Sequence, residues 1–177
     1  MANKISNTFS WTNPDVEVRA VAKKEKGVFA KNDIKKGVSV AVFGGYVMSV
    51  REEQKLHESI RDNAVQIDDD LVLGIKRKTD IEVACYFNHS CNPNTGFKGQ
   101  TFLVAMRDIK KNEQVTFDYG MVLFQSSKGI DYEFECSCGE KNCRKIVSNN
   151  DWKIRKLQKK YRGYFQQYLE DKIKNKK

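Results

Sequence analysis

Acidic residues, prolines and histidines are scarce in this chain: 23 Asp/Glu stand against 32 Lys/Arg, and the 177 residues include two prolines and two histidines. Long apolar runs are missing as well. No segment approaches the roughly 20 apolar residues needed to span a bilayer, which excludes a membrane partner of the helix-spanning kind. The start, Met-Ala-Asn-Lys-Ile-Ser-Asn-Thr, lacks the apolar centre of a secretory signal. The expectation is a soluble intracellular protein, nuclear or cytoplasmic, with delivery into a host cell left open. Cysteine is odd in number at five, and three of the five fall within eight residues, so metal binding is preferred to a disulfide framework. The length suits one packed domain with appendages.

The formal charge of +9 is unevenly spread. Residues 151–177 hold ten Lys/Arg against three Asp/Glu, a net +7, which leaves +2 for the first 150 residues. Such a tail attracts the phosphates of nucleic acid or an acidic protein surface, or it serves as a solvated helical face.

Along the chain the patterning is mostly strand-like. Val16–Val21 alternates apolar and polar positions, Gly27–Ala30 and Val38–Phe43 are short β-branched or apolar runs, and Tyr46-Val47-Met48 continues after Gly44-Gly45. Ser49-Val50-Arg51-Glu52 has capping-box spacing, and Leu56 and Ile60 recur at i and i+4, predicting a helix of about three turns to near Arg61. Further strands are predicted at Val65–Ile67, Leu71–Ile75, Thr101–Met106 and Gln114–Phe117. Ala30–Lys36 and Ala105–Lys111 share their alanine and the run Asp-Ile-Lys-Lys. Two copies cannot build a solenoid, so one strand-turn-strand solution is expected twice. From Trp152 the apolar residues Ile154, Leu157, Tyr161, Tyr164, Phe165, Tyr168 and Leu169 recur at three and four, predicting a long amphipathic helix whose aromatic stripe docks on the body.

Tyr86-Phe-Asn-His-Ser-Cys-Asn-Pro-Asn94 gathers side chains that are costly to bury without partners, and it reads as a loop carrying a site. Cys136, Cys138 and Cys143 form Cys-x-Cys-x4-Cys, one ligand short of the closed tetrahedron of a structural zinc. Cys85 lies in an apolar run and reads as a small hydrophobe. Cys91, in polar surroundings, is the better fourth ligand. The metal would then tie the C-terminal segment to the Asn-His-Ser-Cys loop.

Asn88-His89-Ser90-Cys91-x-Pro93-Asn94, then Glu113-Gln-Val-Thr-Phe117-Asp118-Tyr119-Gly120, then Cys-x-Cys-x4-Cys resembles the SET-domain protein-lysine methyltransferases with a post-SET zinc segment. The resemblance covers Val16 to about Val147. It implies a mainly β fold with some α: small curved sheets, a pseudoknot-like crossing of the two motifs, and here a C-terminal amphipathic helix. The implied divisions are an N-terminal arm (1–15), the SET domain (16–122), the post-SET segment (123–147) and the basic helix (148–177). The implied activity is methyl transfer from S-adenosylmethionine to a lysine ε-amine of a protein, with a histone or other basic-tailed substrate favoured.

Residue by residue, the resemblance makes Tyr119 catalytic. Asn88 and His89, with Lys26, Gly27 and Tyr119, become cofactor-binding, Phe117 and Tyr119 line the substrate channel, and Cys91, Cys136, Cys138 and Cys143 are the zinc ligands. Asn94 and Asp118 are expected to support the crossing. The phenyl ring of Phe117, at the position tied in the family to product degree, implies di- or trimethylation. Several positions depart from the pattern. Glu25-Lys26-Gly27 lacks the first glycine of the family's Gly-x-Gly, no arginine precedes Asn-His-Ser-Cys, and Lys145 stands where glycine often follows Cys-Arg. The missing glycine keeps open an alternative, a catalytically inactive zinc-stabilised module that binds protein or nucleic acid. A redox switch at the Cys-x-Cys segment is a weaker third reading.

Overall fold

The computed structural model of the chain describes residues 8–22, 25–125 and 132–175. Strands come first: β1 (Trp11–Thr12), β2 (Val16–Ala22), β3 (Glu25–Ala30), β4 (Ser39–Val42) and β5 (Tyr46–Ser49). A single helical turn, α1 (Val50–Glu53), precedes β6 (Val65–Gln66), β7 (Leu71–Gly74), β8 (Asn88–His89), β9 (Thr95–Lys98), β10 (Phe102–Ala105) and β11 (Gln114–Phe117). β12 (Glu133–Glu135), β13 (Ile146–Ser148), α2 (Arg155–Lys160) and α3 (Gln167–Asn175) complete the chain. The mainly β expectation holds. The strands form small sheets, ordered β1-β4-β10-β9, β2-β3-β11-β8, β5-β7-β6 and β12-β13. Within the stretch read as an N-terminal arm, β1 is paired to β4, and the N–H groups of Phe9 and Ser10 donate to the Glu82 carboxylate.

The core between the sheets is made of apolar residues from β3, β4, β9, β10 and β11 and from the bridge at Ile109. Val28, Val40, Phe97, Leu103, Ile109 and Val115 are fully buried, each large side chain worth ~1.5–3 kcal/mol for its removal from water. The repeated segment is used twice and faces itself. Ile34 and Ile109 exchange both backbone hydrogen bonds at 2.9 Å. Around them Asp33 accepts from Lys110 Nζ (2.8 Å) and Lys111 N (2.9 Å), and Asp108 accepts from Lys35 Nζ (2.8 Å) and Lys36 N (3.0 Å). The four matched residues thus pair about a local two-fold.

Two predicted helices are corrected. The capping box of Ser49 and Glu52 forms, but α1 lasts one turn instead of three. The helix stops because local side chains capture its continuation: the buried Glu53 carboxylate takes the Asp62 N–H at 2.6 Å, and His57 Nδ1 takes the Ser59 N–H at 3.2 Å. The long helix from Trp152 is likewise broken, into a 3-10 turn at Asp151–Lys153, then α2 and α3. Gly163 sits in the left-handed region at φ +78°, and the Tyr164 carbonyl leaves the helical ladder to accept the Phe97 N–H at 2.9 Å. This turn directs Tyr161, Phe165, Tyr168 and Leu169 into the core, so the aromatic stripe does dock on the body.

Candidate active site and metal centre

The site is built where β8 lies parallel to β11, with Asn88 opposite Thr116 and His89 opposite Phe117. The stretch read as loop therefore contributes a short strand. The side chain of Asn94, 2% exposed, mimics a backbone partner for β11: its amide donates to the Gln114 carbonyl at 2.8 Å and its oxygen accepts the Thr116 N–H at 3.0 Å. Beyond β11 the chain turns sharply, the Asp118 carboxylate capping the Gly120 N–H at 3.0 Å. That turn presents Tyr119.

Two cavities meet at this tyrosine. One, of about 120 Å³, is lined by Phe43, Glu53, Phe117, Tyr119 and Phe124 among others. The other, of about 670 Å³, is lined by Lys26, Asn88, His89, Thr116, Tyr119 and Phe134 among others, a size that suits a small-molecule ligand. Among the described residues Tyr119 alone lines both. Its hydroxyl donates to the Phe87 carbonyl at 3.2 Å, and its ring packs on Phe117 (5.0 Å), His89 (5.2 Å) and Phe134 (5.9 Å). Burial raises the pKa of the phenol beyond the usual tyrosine range, so it remains a neutral hydrogen-bonding group.

Asn88 and Lys26 come together on the wall of the larger cavity, where the Asn88 amide donates to the Lys26 carbonyl at 2.9 Å, and Gly27 packs beside them. A Cβ on Gly27 would lie 2.4 Å from Gln114 Nε2 and 3.0 Å from Asn88 Nδ2, so only glycine allows this approach. His89 Nδ1 accepts the Tyr119 N–H at 3.1 Å. That bond assigns the imidazole proton to Nε2, which lies 3.3 Å from Cys91 Sγ. Burial holds the His89 pKa down to about 4 against the pull of Asp118, with Arg144 adding to the depression, so the ring is neutral at neutral pH.

The thiols converge as the spacing implied. His89, Cys91, Cys136 and Cys138 present ligand atoms within 4.8 Å of one another, while Cys143, the remaining thiol of the expected set, packs beside them with its Sγ 3.3 Å from the Cys136 carbonyl. Cys91 Sγ and Cys136 Sγ are 3.9 Å apart, close to the ~3.8 Å edge of a tetrahedron with metal–sulfur bonds near 2.3 Å. All five cysteines are unbridged. Backbone N–H groups point at the sulfurs, Arg144 N to Cys91 and Lys145 N to Cys143, each at 3.4 Å, as thiolates require. Burial pushes the Cys91 and Cys136 thiols up, a cost that a bound cation reverses, while the Lys145 N–H pulls Cys143 down to about 7. The donor set fits zinc. Cys85 is half-buried and apart from this cluster, lining the smaller cavity.

Two features escaped sequence reasoning. Lys145 adopts φ +67°, which explains the glycine usual at that position and costs a lysine ~1–2 kcal/mol. Arg144 forms a buried fork on Asp118, with Nη1 to Oδ2 and Nη2 to Oδ1 both at 2.6 Å, and donates from Nε to Asp151 at 2.8 Å. Burial opposes its charge, yet the hydrogen bonds and charge of Asp118, with that of Asp151, raise its pKa overall. The Cys143-Arg144 pair was the available signal, but spacing gives an arginine no partner.

Comparison with known proteins agrees with this geometry. The chain is 30% identical over 147 residues to the variant-silencing SET domain-containing protein of Plasmodium falciparum (isolate 3D7), covering 73% of this chain and 5% of that protein. It is 29% identical over 157 residues to the histone-lysine N-methyltransferase ash1 of Drosophila melanogaster, covering 81% and 7%. The chain thus spans a small fraction of the length of these relatives. The crystal structure of KRYPTONITE in complex with mCHH DNA, H3(1-15) peptide and SAH superposes with a TM-score of 0.56 at 25% identity, covering 76% of this chain and 30% of that one. The SET domain profile matches residues 25–120, more than half of the chain, including the strands that carry Gly27, Asn88, His89 and Phe117 and the turn that presents Tyr119, and the chain belongs to the SET-domain family.

Proposed function

We propose that this chain is an S-adenosylmethionine-dependent protein-lysine methyltransferase. The observation that carries the reading is Tyr119, the one described side chain shared by the two cavities. The larger cavity suits the cofactor and the smaller one a lysine side chain, so reacting groups would meet at the phenol. S-adenosylmethionine supplies an electrophilic methyl on a positively charged sulfur. KRYPTONITE, a structural relative, was crystallised with SAH, the form left after such a transfer.

Each residue then has a defined task. Asn88 and the Lys26-Gly27 backbone form the cofactor wall, and His89 fixes the Tyr119 backbone. The neutral phenol aligns the lysine amine and accepts weak C–H contacts from the methyl group, so rate comes from alignment more than from proton transfer. Cys91, Cys136, Cys138 and Cys143 would hold zinc, with the His89 Nε2–H and the Arg144 N–H donating to Cys91 as outer partners. Zinc there would order the segment whose Phe134, Cys136 and Cys138 line the larger cavity.

The test is transfer of labelled methyl from S-adenosylmethionine to a panel of histones and other basic proteins by zinc-loaded protein, with Tyr119→Phe as control. Absence of label on every protein would remove the reading. One observation favours a second reading, a catalytically silent module: Glu25 stands where the family has its first glycine. Calorimetry separates the two, because the silent module would not bind S-adenosylmethionine.

A histone or similarly basic-tailed protein is the favoured substrate. The walls of the smaller cavity include Glu53 and Glu82, and relatives include histone-lysine methyltransferases. The phenyl ring of Phe117, buried against Phe43, Phe97 and Tyr119, offers no hydroxyl to hold a methylated amine in one orientation. Di- or trimethyl product is therefore expected by mass spectrometry at exhaustive reaction, and monomethyl product alone would contradict this role.

The basic C-terminal segment supports a second contact, with nucleic acid. Lys153, Arg155, Lys156, Lys159 and Arg162 are exposed, and no acidic residue lies between Trp152 and Leu169. If about four phosphates are neutralised, affinity for duplex DNA or RNA falls ~100-fold between 50 and 200 mM salt. Binding that is flat in salt, or that survives charge removal at Arg155, Lys156 and Lys159, would count against it. An intracellular site of action, nuclear or cytoplasmic or in a host cell, follows as part of the same proposal.

A further inference from the structure

We infer that Arg144 is the positioning residue through which the metal-held segment sets Tyr119. The inference rests on the methyltransferase reading and assigns to one side chain a link between its two centres. Arg144 directly follows Cys143. Its backbone N–H points at Cys91 Sγ, and its guanidinium reaches the carboxylate of Asp118, the residue before Tyr119. Asp118 is fully buried and the Arg144 side chain is 15% exposed.

The two parallel N–H···O bonds fix the carboxylate plane as well as its position, which one lysine nitrogen cannot do. Asp118 Oδ1 in turn caps the Gly120 N–H, and the Met121 N–H donates to the Asp118 carbonyl at 2.9 Å. The turn carrying Tyr119 is thus pinned through Asp118, whose Oδ1 also lies 3.7 Å from His89 Nδ1. The third donor of Arg144 goes to Asp151, which Ser148 also holds at 3.1 Å. The C-terminal segment is thereby locked to the same point. Gly120 leaves no slack: a Cβ there would lie 3.1 Å from Asp151 Cβ. When the cysteine segment is ordered, the fork is in place. When it is released, a buried carboxylate loses its partner and the tyrosine turn loses its anchor.

The test uses full-length zinc-loaded protein and the variants Arg144→Gln and Arg144→Lys, with zinc content, amide hydrogen exchange, and kcat and KM on a protein that the wild type labels. In Arg144→Gln, zinc remains near the wild-type amount and β12–β13 stays protected. Exchange at the Tyr119, Gly120 and Met121 amides accelerates at least tenfold, and kcat falls at least tenfold, with a smaller change in KM for S-adenosylmethionine. Arg144→Lys, which keeps the charge without the fork, behaves like Arg144→Gln. Should either glutamine or lysine variant fail to fold, the double variant Asp118→Asn/Arg144→Gln removes the unpaired buried charge, and the same exchange and kcat changes are expected of it. Unchanged exchange at residues 119–121, an unchanged kcat, or full rescue by lysine would overturn the inference. Loss of zinc in parallel with the loss of rate would also overturn it, since Arg144 would then serve only the metal site. A wild type that labels no protein would refute the methyltransferase reading while the exchange result still decides the role of Arg144.

Discussion

Replacing Tyr119 by phenylalanine is expected to lower kcat for methyl transfer by about 10²-fold, the usual scale for deleting one well-placed hydrogen-bonding group from a site that works by preorganisation. The change removes one oxygen and leaves the ring, so the contacts with Phe117, His89 and Phe134 persist. Cofactor affinity and zinc content should remain within about threefold, because the Asn88 amide, the Lys26 carbonyl and the thiols do not touch that hydroxyl. The Phe87 carbonyl loses the one phenol donor it has in this structure, and a loss of ~1 kcal/mol in stability follows. The pH profile carries a second check. Burial drives the Tyr119 pKa up, so folding favours the protonated phenol and no loss of activity is expected from its ionisation through the neutral range. A variant with wild-type kcat would take Tyr119 out of the reaction.

Replacing Cys91 by serine is expected to release zinc and, with it, to weaken S-adenosylmethionine binding more than tenfold. Cys91 Sγ is the meeting point of three contacts: 3.9 Å from Cys136 Sγ, 3.3 Å from His89 Nε2 and 3.4 Å from Arg144 N. A serine hydroxyl is a poor zinc ligand at neutral pH because it is not ionised. Beyond the β12–β13 pairing, the Arg144 fork and the Phe134 ring contacts, residues 132–148 bury little, their own apolar cluster being Cys91, Cys136 and Val147 with a few half-buried neighbours. Ordering costs ~1–2 kcal/mol per residue while each buried large side chain returns ~1.5–3 kcal/mol, so the metal supplies the difference. Phe134, Cys136 and Cys138 line the larger cavity, and a loosened segment opens it to water. The readouts are zinc per chain, calorimetric affinity and thermal unfolding, the last expected to drop by several degrees or lose its cooperativity. A Cys91→Ser protein that has lost zinc yet binds the cofactor normally would show the two centres to be uncoupled.

The sequence determined most of what depends on local chemistry. Strand positions followed from short β-branched and apolar runs bounded by turns, and Gln114–Phe117 was read to the residue, although β9, β10 and β11 bury consecutive residues and not one alternating face. The thiols assemble because Cys-x-Cys-x4-Cys is short enough for one loop to present three sulfurs, while the position of Cys91, 45 residues before Cys136, needed its polar neighbours as a clue. Asn88, His89, Phe117 and Tyr119 stood out through the spacing of motifs that the family shares. Helix lengths were over-read for a physical reason: the 3.6-residue pattern continues past Glu53 and Tyr161, but hydrogen-bond partners outside the pattern end both helices. Asp62 N–H goes to Glu53, and the Tyr164 carbonyl goes to Phe97.

Only the tertiary structure decided how the pieces act on one another. Periodicity does not specify that β8 lies parallel to β11, that Ala30–Lys36 pairs with its own echo, or that Tyr119 divides two cavities. Nor does it give Arg144 a partner, since Asp118 lies 26 residues earlier and Asp151 seven later. These pairings are long-range, and each is stable because burial makes an unpaired carboxylate or backbone group costly. Composition and motif thus named the groups able to do chemistry, and burial chose which of them face each other.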